Sequence, residues 1–315
     1  MTSDHVTPKP IAPKDKKKHL FCFGYGYVAE NLAETLKLHD WKISGTTTDV
    51  DKAAHMAEND VTAYVFDENM PLCDPFSALK DATHILISIP PQKFGDLVLD
   101  MHETDLENLR NVEWIGYLSS TAVYGNRDGK WVDEDTLPAP TSQRGSVRQM
   151  SEMQWRQFYN ETRFPLHIFR LSGIYGPGRS MLNTVRAGHP RRIEKAGHAF
   201  NRIHVEDIVQ TLIASINQPH PMDIYNLADD CAAPSHEMIA YACTLLGEDV
   251  PPLIPFEEAD LAPIVKSFYA DNKRIKNDKI KSKLGIKLLH PDYKSGLNAC
   301  LKAEEELIAH LQDDA

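Results

Sequence analysis

From residue 19 onward, short apolar runs alternate with stretches of helical periodicity, the pattern of repeated βαβ units that build a parallel sheet covered on both faces. The runs at 20–23, 42–46, 61–66, 84–89, 112–118 and 166–171 are mostly continuously apolar or β-branched, as strands buried on both faces require. Between them, 28–38, 94–109 and 148–161 carry helical spacing or length, and the prolines at 90–91 and 138–140 mark loops. Beyond residue 171 the alternation loosens: 205–216, 237–246 and 293–311 read as helices, 223–226 as a strand and 251–263 as a connecting loop. The expected fold is therefore α/β, a doubly wound parallel sheet over 19–175 with a smaller carboxyl-terminal substrate lobe over 176–315 that returns some elements to the sheet. Residues 1–18, rich in Pro, Lys and Thr, read as a loose tail.

Composition leaves this picture intact and narrows the partners. Hydrophobic residues make up 42% and charged residues 25% of the 315, as in ordinary globular proteins. A formal net charge of −11 works against a general nucleic-acid or anionic-membrane surface, because the average field repels a polyanion. The basic residues between Lys266 and Lys287 are interleaved with Asp271, Asn272, Asn277 and Asp278, and read as a solvated helix face. The five cysteines are scattered, with neither a CxxC pair nor metal-ligand spacing to histidine, which fits a reducing cytoplasm and gives no metal site. No apolar run approaches the roughly 20 residues of a membrane helix. The expected partner is a small-molecule substrate.

The first strand runs into Gly24-Tyr25-Gly26-Tyr27-Val28-Ala29, a GxGxxA pattern that follows an apolar strand and opens a helix. In a Rossmann-like dinucleotide site Gly24 makes the tight turn, Gly26 lets the backbone approach a pyrophosphate, and Ala29 allows close helix–strand packing. Free N–H groups of the helix start, around Tyr27 and Val28, then face the phosphates. Ribose selectivity belongs at the end of the second strand, where Thr47, Thr48 and Asp49 follow Thr46. Hydroxyls precede the acid, which tilts the expectation toward NADP and leaves NAD open. Ser88 and Pro90 close the fourth strand beside this site.

Ser119-Ser120-Thr121-Ala122-Val123-Tyr124-Gly125 resembles the Ser-Ser-x-x-Val-Tyr-Gly segment of the extended short-chain dehydrogenase/reductases, the NAD-dependent epimerase/dehydratase family. Further segments resemble that family's landmarks in order: 170–179 (Arg-Leu-Ser-Gly-Ile-Tyr-Gly-Pro-Gly-Arg), 201–208 (Asn-Arg-Ile-His-Val-Glu-Asp-Ile) and 224–227 (Ile-Tyr-Asn-Leu). The resemblance spans about residues 19–300. It implies a nucleotide-binding lobe, a substrate lobe, and a homodimer formed through the helices at 94–109 and 148–161. It also implies a Ser or Thr that orients the substrate oxygen, a Tyr acid/base, and a Lys four residues later that depresses the Tyr pKa and holds the nicotinamide ribose.

Ser120 falls on the Ser/Thr position, but Arg144 stands where the Tyr is expected and Arg148 where the Lys is expected. Arg148 retains a cation for ribose or phosphate, whereas Arg144 is unsuited to proton exchange and suited to binding an anion or a developing oxyanion. The resemblance thus makes Ser120, Arg144, Arg148 and, as a substitute phenol, Tyr124 the catalytic candidates. Ser120, Arg144, Arg179 and Arg202 are the substrate candidates. His204 and Asp207 open a helix, where capping or interlobe hydrogen bonds outweigh acid/base work. Two functions follow: an NAD(P)-dependent oxidoreductase or epimerase/dehydratase-like enzyme of the atypical short-chain dehydrogenase/reductase type acting on a small polar substrate, or a non-catalytic NAD(P)-binding protein.

Overall fold

The computed structural model describes residues 17–313, so the expected tail lies, apart from Lys17 and Lys18, outside the described residues. The first half runs β1 (His19–Phe23), α1 (Tyr27–Lys37), β2 (Lys42–Thr47), α2 (Val50–Glu58), β3 (Val61–Val65), α3 (Pro75–Leu79), β4 (His84–Ile87), α4 (Leu97–Glu107) and β5 (Trp114–Ser120). It continues through a 3₁₀ turn (Thr121–Tyr124), β6 (Trp131–Val132), α5 (Gln143–Thr162), β7 (Leu166–Leu171) and β8 (Gly173–Tyr175). The rest comprises α6 (Met181–Arg186), β9 (Arg192–Glu194), β10 (Arg202–His204), α7 (Val205–Asn217), β11 (Ile224–Leu227) and α8 (Ser235–Leu246). It ends with β12 (Leu253–Pro255), α9 (Pro263–Phe268), β13 (Arg274–Ile275), α10 (Asp278–Leu284) and α11 (Tyr293–Asp313).

Seven strands form one parallel sheet in the order β11-β7-β5-β4-β1-β2-β3. Strand β1 lies between β2 and β4, with Cys22 beside Gly45 on one side and Leu86 on the other. The chain leaves β1 in opposite directions here, which opens a crevice at the strands' carboxyl ends. One core layer packs α1, α7 and α10 on one face of the sheet; the other joins α3, α4 and α5 to the opposite face. Helix α1 is set by its spacing: Val28, Ala29, Leu32, Ala33 and Leu36 form one buried stripe. Helix α7, strand β11 and helix α10, all from the second half, close the sheet, while α6, α8 and α11 build a separate apolar cluster.

The structure departs from the sequence expectation in three places. Helix α5 starts at Gln143 rather than 148, because Ser142 caps it by accepting the N–H of Gly145. Gly145 belongs there because a Cβ would sit 2.7 Å from the Ala122 carbonyl oxygen, so α5 crosses directly against the turn that follows Ser120. The loop expected over 251–263 contains β12, paired with β9, and leads into α9. The basic stretch 266–287 is no single solvated face. Lys273 is buried, Arg274 lies in β13, Lys279 and Lys283 pair with Asp223, and Lys281 pairs with Asp230. Among the described residues no helix is long and apolar enough to cross a membrane.

Candidate functional site

Two hollows open along the carboxyl edge of the sheet. The first, about 580 Å³, lies over the ends of β1, β2 and β4 and is lined by Gly24, Gly26, Thr47, Thr48, Ser88 and Pro90. Gly24 has φ +87°, and a Cβ there would press on Ile89; its N–H donates to Thr46 Oγ1 at 2.8 Å. Gly26 is different. Its φ of −107° suits any residue, yet a Cβ would meet nothing within 4 Å, so the backbone faces open space. Gly26 also begins α1 without any side-chain cap, which leaves the first-turn amides unclaimed by side chains. An uncapped helix start facing a hollow whose nearest residue lacks a side chain fits a dinucleotide pyrophosphate. Two carboxylates, Asp67 and Glu68, also line this hollow, and among the described residues no Lys or Arg does.

Other residues expected at this site lie elsewhere. Asp49 caps α2, accepting the N–H groups of Asp51 and Lys52 at 2.9 and 3.2 Å, and does not line the hollow. The Val28 side chain is buried in the core, which leaves its backbone as the part near the helix start. Tyr27 turns toward the second half: its hydroxyl donates to the Pro177 carbonyl oxygen (2.9 Å) and its ring lies under the Arg179 guanidinium.

The second hollow, about 270 Å³, lies over the ends of β5 and β7 and brings together Ser120, Arg144, Asn201, Phe268, Asp271 and Lys273. Ser120 caps the 3₁₀ turn by accepting the Ala122 N–H at 3.2 Å, which leaves its own O–H to donate. Arg144 is exposed, with its guanidinium over the Phe268 ring, 5.7 Å from the centroid, and it makes no hydrogen bond or ion pair among the described residues. Lys273 is 7% exposed; its Nζ donates to the Gly125 carbonyl oxygen at 3.0 Å and lies 3.6 Å from Asp271 Oδ2. Burial holds this ammonium below its usual pKa, with Asp271 opposing. Among the described residues no tyrosine, histidine or cysteine lines the hollow.

Arg148 is not in either hollow. Its Nη1 donates to Tyr117 Oη (3.2 Å) and to the Leu118 carbonyl oxygen (2.9 Å), which turns the guanidinium onto β5. Tyr124, the substitute phenol, does not line the Ser120 hollow. It is fully buried, its hydroxyl donates to Asn226 Oδ1 (2.7 Å), and it receives Arg170 Nη1 (2.9 Å). Arg170 in turn grips Glu152 with two hydrogen bonds of 3.0 and 2.7 Å, and Ser119 donates to the same carboxylate. Tyr124 therefore belongs to a buried polar network beneath Ser120. The substrate set also divides. Arg179 and Arg202 share a third hollow with Tyr175, and Arg202, nearly buried, spends its Nη1 on the carbonyls of Phe200 and Ala233. His204 and Asp207 act as expected of a helix start: His204 caps α7, and Asp207 accepts the N–H groups of Leu289 and His290.

Lys273 and Asp271 are the residues that sequence reasoning missed. They reach the Ser120 hollow from about 150 positions away, and their surroundings of Lys, Asp and Asn resemble any solvated segment.

No protein-family model matches the chain. A solved structure of a conserved protein of unknown function from Silicibacter pomeroyi is 42% identical, covers 91% of this chain and 99% of its own, and superposes with a TM-score of 0.85. Protein YeeZ of Escherichia coli K12 is 25% identical over 289 residues, 87% of this chain and 97% of its own. UDP-glucuronic acid 4-epimerase from Bacillus cereus, solved in complex with NAD, is 15% identical over 92% of this chain and 99% of its own, with a TM-score of 0.72. The chain belongs to the family of the Silicibacter pomeroyi protein, and its fold is that of the NAD-dependent epimerases and dehydratases, the extended short-chain dehydrogenase/reductases.

Proposed function

We propose that this protein is an NAD(P)-dependent oxidoreductase or epimerase/dehydratase-like enzyme of the atypical short-chain dehydrogenase/reductase type, acting on a small anionic substrate. The carrying observation is the open, uncapped start of α1 at Gly26, set on the same sheet edge as the Ser120 hollow. Gly24, Gly26, Thr47, Thr48, Ser88 and Pro90 would hold the dinucleotide, which supplies hydride transfer when bound. With Asp67 and Glu68 in the lining and no cation there among the described residues, the hollow favours NAD over NADP, against the tilt of the threonines, because a 2′-phosphate needs a positive partner. NAD in the solved complexes of UDP-glucuronic acid 4-epimerase and dTDP-glucose 4,6-dehydratase supports the same choice.

In the second hollow Ser120 donates its hydroxyl hydrogen to the reacting oxygen, and the unpaired Arg144 fork binds the substrate's negative group. Its lining lacks a phenol, so the proton falls to Lys273, whose burial eases loss of the charge. Arg148, turned onto Leu118, positions the strand end that carries Ser120.

The test is absorbance of bound nicotinamide while carboxylated and phosphorylated sugars and carbonyl compounds are supplied. Reduction or reoxidation that disappears in Lys273→Met, with cofactor binding retained, is the expected result. A second reading, a dinucleotide-binding protein that does no chemistry, is favoured by the inward turn of Arg148 and the missing phenol. A spectrally inert bound cofactor across that panel selects it.

A further inference from the structure

Away from both hollows, β10 ends at His204 against the segment between α10 and α11 that carries His290. The imidazole centroids are 4.0 Å apart at 52°. Glu206 Oε2 lies 2.6 Å from His290 Nε2 and 3.9 Å from His204 Nδ1, and one donor atom from each of the three residues lies within 4.8 Å of the others. His204 is fully buried and His290 is 8% exposed, while the Glu206 side chain is 53% exposed, so the cluster opens to solvent on the carboxylate side.

The protonation of His204 is set by its neighbours. Nδ1 accepts the Glu206 backbone N–H at 3.3 Å, so the hydrogen of the neutral ring sits on Nε2, 3.7 Å from Cys300 Sγ. The same Nδ1 faces Glu206 Oε2 across 3.9 Å, and His290 Nε2 meets that oxygen from the other side, so the three donor atoms converge on one point.

We infer that His204, Glu206 and His290 bind a divalent transition-metal ion of the zinc class, which clasps the segment before α11 to the start of α7. Two imidazoles and one carboxylate select zinc-like ions over magnesium or calcium, and three protein ligands leave a fourth position to water. The surrounding shell is in place. Asp207 fixes the backbone of Leu289 and His290, and Cys300 faces the second nitrogen of His204. Glu206 and Asp207 in the first turn offset the positive end of α7. The ion takes the place of the long Glu206 N–H contact at His204 and of the Glu206–His290 hydrogen bond. None of the three residues lines either hollow over the sheet edge, so the metal's role is structural.

The test is titration of the full chain, stripped with chelator, by Co²⁺, followed by visible absorption and by thermal unfolding. One Co²⁺ per chain with intense tetrahedral-type bands, displacement by Zn²⁺ and a raised Tm are expected. Glu206→Gln and His290→Gln should each weaken binding by more than about 100-fold, beyond the roughly 10- to 100-fold that loss of an outer-shell partner produces. Glu206 is exposed, so the E206Q variant carries the test even if H290Q fails to fold. Absence of saturable binding below millimolar Co²⁺, or unchanged affinity in E206Q, overturns the assignment.

Discussion

At the amino-terminal edge of the central sheet, His19, His84 and His167 stand buried at the starts of β1, β4 and β7. Trp114 lies between two of them, 6.4 Å from His84 and 5.8 Å from His167 by ring centroids. At the carboxyl-terminal edge the same strands end in Gly24, Ser88, Ser120 and Ser172, all bordering open hollows. One edge is packed with rings, with a hollow of about 290 Å³ beside His19 lined by Lys17, Lys42, Asp81 and Thr83; the other ends in small or hydroxylated residues around the two hollows described above. On the proposed function ligand chemistry belongs to the second edge, so damage to the ring-packed edge should change stability and leave cofactor binding largely untouched.

The largest effect expected from this division is acid sensitivity. Burial lowers the pKa of His19, His84 and His167 to about 4 from an ordinary 6.5. As pH falls from 6.5 toward 4 the unfolded chain takes protons that the native state refuses, so these groups withdraw stability across that window. Replacing His84 and His167 together by Leu should flatten the dependence of unfolding free energy on pH by about two protons, or about 2.7 kcal/mol per pH unit. Urea unfolding at several pH values measures this, and cofactor binding should not change.

Next in size is the buried ion pair beneath Ser120 at the open edge. Removing the guanidinium in Arg170→Met strands Glu152, 3% exposed, and should cost about 3–5 kcal/mol in urea unfolding. A paired Arg170→Met, Glu152→Leu variant should recover most of that loss, because no unpaired charge remains buried.

The division also explains what the sequence made legible. Gly24, Gly26 and the α1 stripe are local signals, each within a few residues of the strand that places them, and the hollow they border follows from chain order alone. The network beneath Ser120 was not legible. Tyr124 finds Asn226 from 102 positions away and Arg170 from 46 away, and nothing local marks a phenol whose hydroxyl is already engaged. The reading of Lys273 failed for the same reason: Gly125, its hydrogen-bond partner, is 148 positions distant. The start of α5 was missed because Gly145, followed by Ser146, lowers the helical propensity of its first turn; Ser142 and the tight crossing over Ala122 supply what propensity lacks.

A smaller effect separates the two hollows of the open edge. Arg144→Ala removes an exposed, unpaired cation and should leave NAD affinity and unfolding midpoint unchanged while lowering kcat/KM for an anionic substrate by about 10- to 100-fold. Steady-state kinetics against an uncharged analogue should show a much smaller drop.

The central claim, that the open start of α1 is a dinucleotide site, is tested most directly by calorimetric titration of NAD into the wild-type chain and into Gly26→Leu. Gly26 has an ordinary φ and open space in place of a side chain, so leucine should enter the hollow without straining the fold. The account predicts saturable binding to the wild type, weakened by between about tenfold and 100-fold in the variant, with the urea midpoint unchanged. Equal affinity in both proteins, or no binding to the wild type, would contradict it.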